Sequence, residues 1–140
     1  MKHHESRADR SLIAAAKAVR RHAHAPYSGF RVGAAIRSRN GELFTGCNVE
    51  NASLGAGICA ERGAILHAVA LGLRPGDLEA VAVYTSAAQP TPPCGMCLQV
   101  LVEFGPEARV LLAGPRKVRT TSLPELYPFP FRSFPRRARR

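Results

Sequence analysis

Leu78-Glu79-Ala80-Val81-Ala82-Val83-Tyr84-Thr85 decides how the rest of the chain is read. An almost unbroken apolar run of this length, entered from the turn Pro75-Gly76-Asp77, is what a strand covered on both faces requires. Downstream, Cys94 to Phe104 reads as a short helix closed by Gly105-Pro106, and Ala108 to Ala113 as a second buried strand. Gly114-Pro115 marks the next turn, before a weaker strand at Val118 to Thr121. Upstream, a helix is expected from about Cys59 to Ala70, ending near Gly72 and entered through the flexible loop Ser53-Leu54-Gly55-Ala56-Gly57. Arg31 to Arg39 and Glu42 to Asn51 read as two strands joined by Asn40-Gly41, a strong hairpin signal. Ser11 to Ala23 reads as a helix with Leu12, Ile13, Ala16 and Val19 on one face, broken by Pro26-Tyr27-Ser28-Gly29. Strands alternating with helices predict an α/β fold, a three-layer sandwich with a mixed sheet of about five strands flanked by helices.

The chemistry is carried by two short elements. Cys59-Ala60-Glu61 is followed, after 31 residues, by Pro93-Cys94-Gly95-Met96-Cys97. Three thiolates, Cys59, Cys94 and Cys97, suit one zinc ion per chain, because three protein ligands leave the fourth tetrahedral position open for water. Cys59 opens one expected helix and Cys94 and Cys97 lie in the first turn of the other, so two helix N-termini are expected to converge on the metal and lower the thiolate pKa values. Glu61, two residues after a ligand, can reach a water at the metal without ligating, as a general acid/base must.

Together these elements match the zinc deaminase signature, and the chain from Tyr27 to Phe131 resembles the cytidine deaminase family. The resemblance implies hydrolytic deamination of cytidine and deoxycytidine to uridine and deoxyuridine with release of ammonia, a role in pyrimidine salvage. It assigns to Glu61 the protonation of cytosine ring N3 while an activated water attacks C4, and then proton transfer to the departing amine. Arg62 matches the arginine of the family's Cys-Ala-Glu-Arg element and is expected to draw charge from the cysteine sulfurs.

Substrate binding is read from Phe44-Thr45-Gly46-Cys47-Asn48-Val49-Glu50-Asn51. Strand alternation turns Asn48 and Glu50 to the same side, presenting an amide and a carboxylate together, a pair suited to a ribose hydroxyl. The resemblance assigns these two residues to the sugar and implies pocket roles for Phe30, Ala60 and, more weakly, Tyr27. It also implies a homotetramer with shared active sites, in which Phe131, or alternatively Phe129, reaches a neighbouring subunit. Two departures stand out. Pro92 replaces the usual Ser or Thr before Pro93, and the Gly-Pro usually found beyond the C-terminal phenylalanine is missing.

The remaining features bound the alternatives. At 140 residues the chain suits a single catalytic domain, 1–131, followed by a basic tail, 132–140. No run approaches the ~18 apolar residues of a membrane helix, and Cys-x-x-Cys spacing beside Cys-x-Glu favours metal thiolates in a reducing compartment, so a cytoplasmic protein is expected. The net charge of +10 is concentrated at the ends: nine Lys/Arg against two acids over residues 1–40, eight against one over 115–140, and three against seven between. Basic ends admit a nucleic-acid partner, but the terminal Arg136-Arg137-Ala138-Arg139-Arg140 has no interleaved aromatics, so solvated ends are the expectation. Two rivals remain: a deaminase of another small aminated pyrimidine, such as a blasticidin-like antibiotic, and a closed Cys₄ zinc module recruiting Cys47 and binding nucleic acid.

Overall fold

A computed structural model describes residues 5–133 of the chain; of the expected tail, only Arg132 and Ser133 fall within them. Five strands form one sheet: β1 (Gly33–Ser38), β2 (Leu43–Cys47), β3 (Leu78–Tyr84), β4 (Arg109–Ala113) and β5 (Val118–Ser122). Their order is β2-β1-β3-β4-β5, with β3 and β4 parallel and every other neighbouring pair antiparallel. The helices are α1 (Arg7–Val19), α2 (Ala60–Ala70), α3 (Gly95–Phe104) and the single turn α4 (Leu123–Leu126). No helix of the described residues is long and apolar enough to cross a membrane.

The two sheet faces are built differently. On one, Ala35, Ala80, Ala82, Tyr84, Leu111 and Ala113 receive Leu12 and Ala16 of α1. Four of these six sheet positions are alanines, which leave room for a helix to lie close. On the other, Ile36, Val81, Val83, Val110 and Leu112 pack against Ala64, Ile65 and Ala68 of α2 and Leu98 and Leu101 of α3. Period-two alternation along β3 thus sends Ala80, Ala82 and Tyr84 to one helical layer and Val81 and Val83 to the other, giving the three-layer sandwich expected from the sequence.

Three local expectations change. Helix α1 begins four residues before Ser11, because Ser6 and Asp9 form a capping box: Asp9 N–H donates to Ser6 Oγ at 3.1 Å and Ser6 N–H to Asp9 Oδ2 at 3.2 Å. It also ends at Val19, and Arg20–His22 tighten into a 3₁₀ turn. The β1–β2 hairpin is not a two-residue Asn-Gly turn. Gly41 alone has positive φ, at 88°, and Gly41 N–H donates to the Ser38 carbonyl while Ser38 N–H donates to that of Glu42. That is a three-residue loop whose last residue is left-handed, which glycine adopts without strain. Finally, β2 stops at Cys47, and Asn48 to Glu50 continue as an isolated bridge, Val49 pairing with His24 and Ile58.

One close approach fixes the layer that bears the cysteines. Gly46 on β2 lies under α2 so tightly that a Cβ there would fall 2.3 Å from Ala64 N and 2.5 Å from the Ala60 carbonyl. Only glycine lets the first turn of α2 rest on the strand.

Candidate active site

Both chemical elements fold as helix starts. Cys59 is the N-cap of α2 and Cys94 the N-cap of α3, each in extended backbone, while Cys97 lies inside the first turn of α3. The first helical bonds, from Gly63 N–H to the Cys59 carbonyl at 3.0 Å and from Leu98 N–H to that of Cys94 at 2.9 Å, leave both side chains outside the helices. The Sγ atoms meet: Cys59 and Cys94 are 3.8 Å apart, Cys94 and Cys97 3.5 Å, and all three lie within 4.8 Å of one another.

Those separations fit one tetrahedral zinc ion, for which Zn–S bonds of about 2.3 Å place sulfurs about 3.8 Å apart. The fourth cysteine, Cys47, is in β2 and outside this cluster, so the donor set among the described residues is three thiols rather than four. Electrostatics point the same way. Burial, followed by the Glu61 carboxylate and the neighbouring sulfurs, pushes the Cys97 thiol far up. Burial also pushes Cys94 up, but N–H groups of Cys97 and Met96 and the two other thiols outweigh it, and the net shift is down. A divalent cation held by these three sulfurs would supply the charge that crowded thiolates need.

Glu61, 5 % exposed, brings Oε2 to 3.7 Å from Cys97 Sγ. Burial raises its pKa against the opposing pull of its own backbone N–H, the Cys97 thiol and Arg62. A raised carboxyl pKa is the direction that suits a group which must both accept and return a proton. Arg62 Nη2 reaches Cys59 Sγ at 3.6 Å and the Gly57 carbonyl at 3.4 Å, and the sulfur contact holds the guanidinium pKa up. Its Nε is buried without a partner.

Asn48 and Glu50 face one loop, Tyr27 to Val32. Asn48 Oδ1 accepts from Val32 N–H and its Nδ2 donates to the Phe30 carbonyl, both at 2.8 Å. Glu50 Oε2 accepts from the backbone N–H groups of Tyr27, at 2.8 Å, and Ser28, at 3.2 Å, while Oε1 accepts from the Ser28 hydroxyl. The Ser28 hydroxyl, with the N–H groups of Tyr27 and Ser28, outweighs the upward push of desolvation and leaves the Glu50 pKa lowered. The two side chains therefore brace the loop that carries Phe30. A cleft of about 280 Å³, lined by Tyr27, Ser28, Glu50, Asn51, Leu54 and Gly57, opens beside them.

Ala60 is fully buried at the start of α2. Phe30 is partly exposed, and Phe131 and Phe129 lie on the C-terminal segment, the latter 92 % exposed. Pro92 is exposed while Pro93 is buried beneath the start of α3. Two contributors escaped the reading of the sequence. Ser28 could have been suspected from its place in the turn before Phe30. Gln99 ties α3 to the C-terminal segment, donating to the Phe131 carbonyl at 2.7 Å and accepting from the Tyr127 hydroxyl at 3.0 Å, and carries no local signal.

Comparison with known proteins places this geometry. Residues 6–113 match the model of the cytidine and deoxycytidylate deaminase zinc-binding region. The chain is 45 % identical over 95 residues to a cytidine deaminase of Halalkalibacterium halodurans, covering 68 % of this chain and 70 % of that one. A crystal structure of cytidine deaminase from Burkholderia pseudomallei superposes with a TM-score of 0.84 at 47 % identity, over 94 % of this chain and all of that one. A blasticidin-S deaminase of Bacillus cereus is more distant, 33 % identical over 107 residues, with 71 % of this chain and 76 % of that one covered. By its matched region, its fold and its cluster of three cysteines, the chain belongs to the cytidine and deoxycytidylate deaminase family.

Proposed function

We propose that the protein converts cytidine and deoxycytidine, by hydrolysis, to uridine or deoxyuridine and ammonia. The observation that carries this reading is the meeting of three thiols within 4.8 Å, with a buried carboxyl 3.7 Å from one of them. Cys59, Cys94 and Cys97 would hold the zinc ion, which when bound would supply the Lewis acidity that makes a water nucleophilic near neutral pH. Glu61 takes the proton of that water, gives it to ring N3 as C4 is attacked, and passes a proton to the amine that leaves as ammonia. Arg62, bonded to Cys59, disperses the negative charge of the thiolates.

The ribose falls to Glu50, which lines the cleft, and to Asn48, whose carboxamide holds the Phe30 loop beside it. Phe30, Ala60 and Phe131, or Phe129 in its place, complete the walls for the base. The reading includes a homotetramer with shared active sites, supported by the large apolar side chains left exposed, among them Leu54, Phe129 and Phe131.

Zinc-loaded protein incubated with cytidine, deoxycytidine, free cytosine, adenosine and blasticidin S, with ultraviolet absorbance followed, tests the proposal. Cytidine and deoxycytidine are expected to be consumed and cytosine to react poorly. Turnover of blasticidin S without turnover of cytidine would overturn the substrate assignment. Light scattering tests the tetramer on the same preparation.

A further inference from the structure

A second cleft has no cysteine among its lining residues. It has a volume of about 560 Å³ and is lined by Gln89 and Pro90 of the β3–α3 connection and by Arg116, Lys117, Val118 and Arg119, where the β4–β5 turn runs into β5. Three of its six lining residues are cations and none is an acid. Arg116, Lys117 and Arg119 take no part in any ion pair among the described residues. Lys117 Nζ has only the neutral Gln89 Oε1, at a long 3.5 Å. The residues outside the described range, 1–4 and 134–140, contain no Asp or Glu side chain that could neutralise them.

Like charges on neighbouring positions repel, and the repulsion is relieved when an anion shares them. The volume is that of a small-molecule site and exceeds what one phosphate group needs. No aromatic side chain lines the cleft, so it offers no stacking platform of the kind that holds single-stranded nucleic acid. We propose that this cleft binds the linked phosphates of a small polyphosphate ligand, with Arg116, Lys117 and Arg119 as its charged donors. The shared chemistry is a chain of two or three phosphates, borne either by free polyphosphate or by a nucleoside triphosphate.

Titration calorimetry on the full chain tests this at about 0.15 M salt, where exposed single charges are largely screened. The probes are inorganic phosphate, tripolyphosphate and ATP, whose purine keeps it from competing for a pyrimidine pocket. Tripolyphosphate is expected to bind at least about tenfold tighter than inorganic phosphate, since each charged hydrogen bond gained contributes about that factor. The triple variant Arg116→Gln, Lys117→Gln, Arg119→Gln should lose at least about tenfold of that affinity while keeping the far-ultraviolet spectrum and cytidine turnover of the parent. A chain truncated after Ser133 should bind as the full chain does, separating the cleft from the terminal arginines. ATP binding tighter than tripolyphosphate identifies a nucleotide as the ligand, and equal or weaker binding identifies the phosphate chain alone. Unchanged affinity in the triple variant, loss on truncation, or tripolyphosphate no tighter than inorganic phosphate would each overturn the site.

Discussion

Glu61 Oε2 and Cys97 Sγ, 3.7 Å apart, join the start of α2 to the start of α3 through a buried acid that is not itself one of the three clustered sulfur donors. Glu61→Gln preserves the shape of that link and removes its basicity. Steady-state turnover of cytidine is expected to fall by roughly 10²–10⁴-fold, with zinc content unchanged by metal analysis. Near-normal turnover would remove Glu61 from proton transfer.

The metal stoichiometry separates three ligands from four. Wild-type protein and Cys47→Ser should each carry about one zinc per chain, because Cys47 lies in β2 outside the cluster, whereas Cys97→Ser should lose most of it. Loss of zinc in Cys47→Ser would restore a four-cysteine site.

Gly46→Ala places a methyl group 2.3 Å from Ala64 N and 2.5 Å from the Ala60 carbonyl, so helix α2 must move. A destabilisation of about 1–3 kcal/mol is expected from chemical denaturation, accompanied by a loss of turnover, because the displaced turn carries Ala60 and Glu61. Unchanged stability would mean that the contact relaxes freely.

A pH-dependent contribution comes from Asp9, 2 % exposed, whose carboxylate accepts from Arg109 at 2.8 Å and lies 3.6 Å from Arg37. Burial pushes its pKa up, but the bonds from Arg109 and Ser6 prevail and the folded value is lowered. A depressed pKa gives stability that is present above the unfolded value and lost as pH falls through the folded one. Asp9→Asn should therefore be less stable than wild type by about 1–3 kcal/mol at pH 7, and the gap should narrow only below the ordinary carboxylate range. A gap that stays constant in denaturation curves down to strong acid would exclude the ionised carboxylate as its source.

The carboxamide of Asn48 spans Val32 N–H and the Phe30 carbonyl, so Asn48→Ala frees the loop as well as removing the proposed sugar contact. An increase in KM for cytidine with a smaller fall in kcat is expected, since the loss is chiefly one of positioning. Glu50→Ala should behave alike. If both variants act on cytidine as wild type does, neither residue holds the nucleoside.

What could be read in advance followed from local rules. The β3-α3-β4 unit was legible because Val81, Val83, Val110 and Leu112 leave no polar face to misplace, and because Gly105-Pro106 stops the helix between them. Cys59, Cys94 and Cys97 were legible because helix-start spacing places ligands without knowledge of the fold. The start of α1 was hidden by the polar character of its first turn: the apolar period begins at Leu12, while Ser6 and Asp9 extend the helix by hydrogen bonds that hydrophobic patterning does not see. The turn α4 is too short to have a period. Least legible were the partners of Asn48 and Glu50, in a loop 16 to 23 residues earlier, and the bond from Gln99 to Phe131, because such pairings exist only after the layers have assembled.

The convergence of two helix starts also has a meaning in polymer terms. Cys59 and Cys94 are 35 residues apart, and the chain between them contains all of α2 and β3. An ion shared by their sulfurs is a cross-link closing that loop, and it acts on the unfolded ensemble by removing conformations from it. Because such an ion favours the folded chain by mass action, chelation should lower resistance to unfolding along with activity. In this chain the reaction centre is also a rivet, and the atoms chosen for chemistry set part of the conformational entropy of the whole domain.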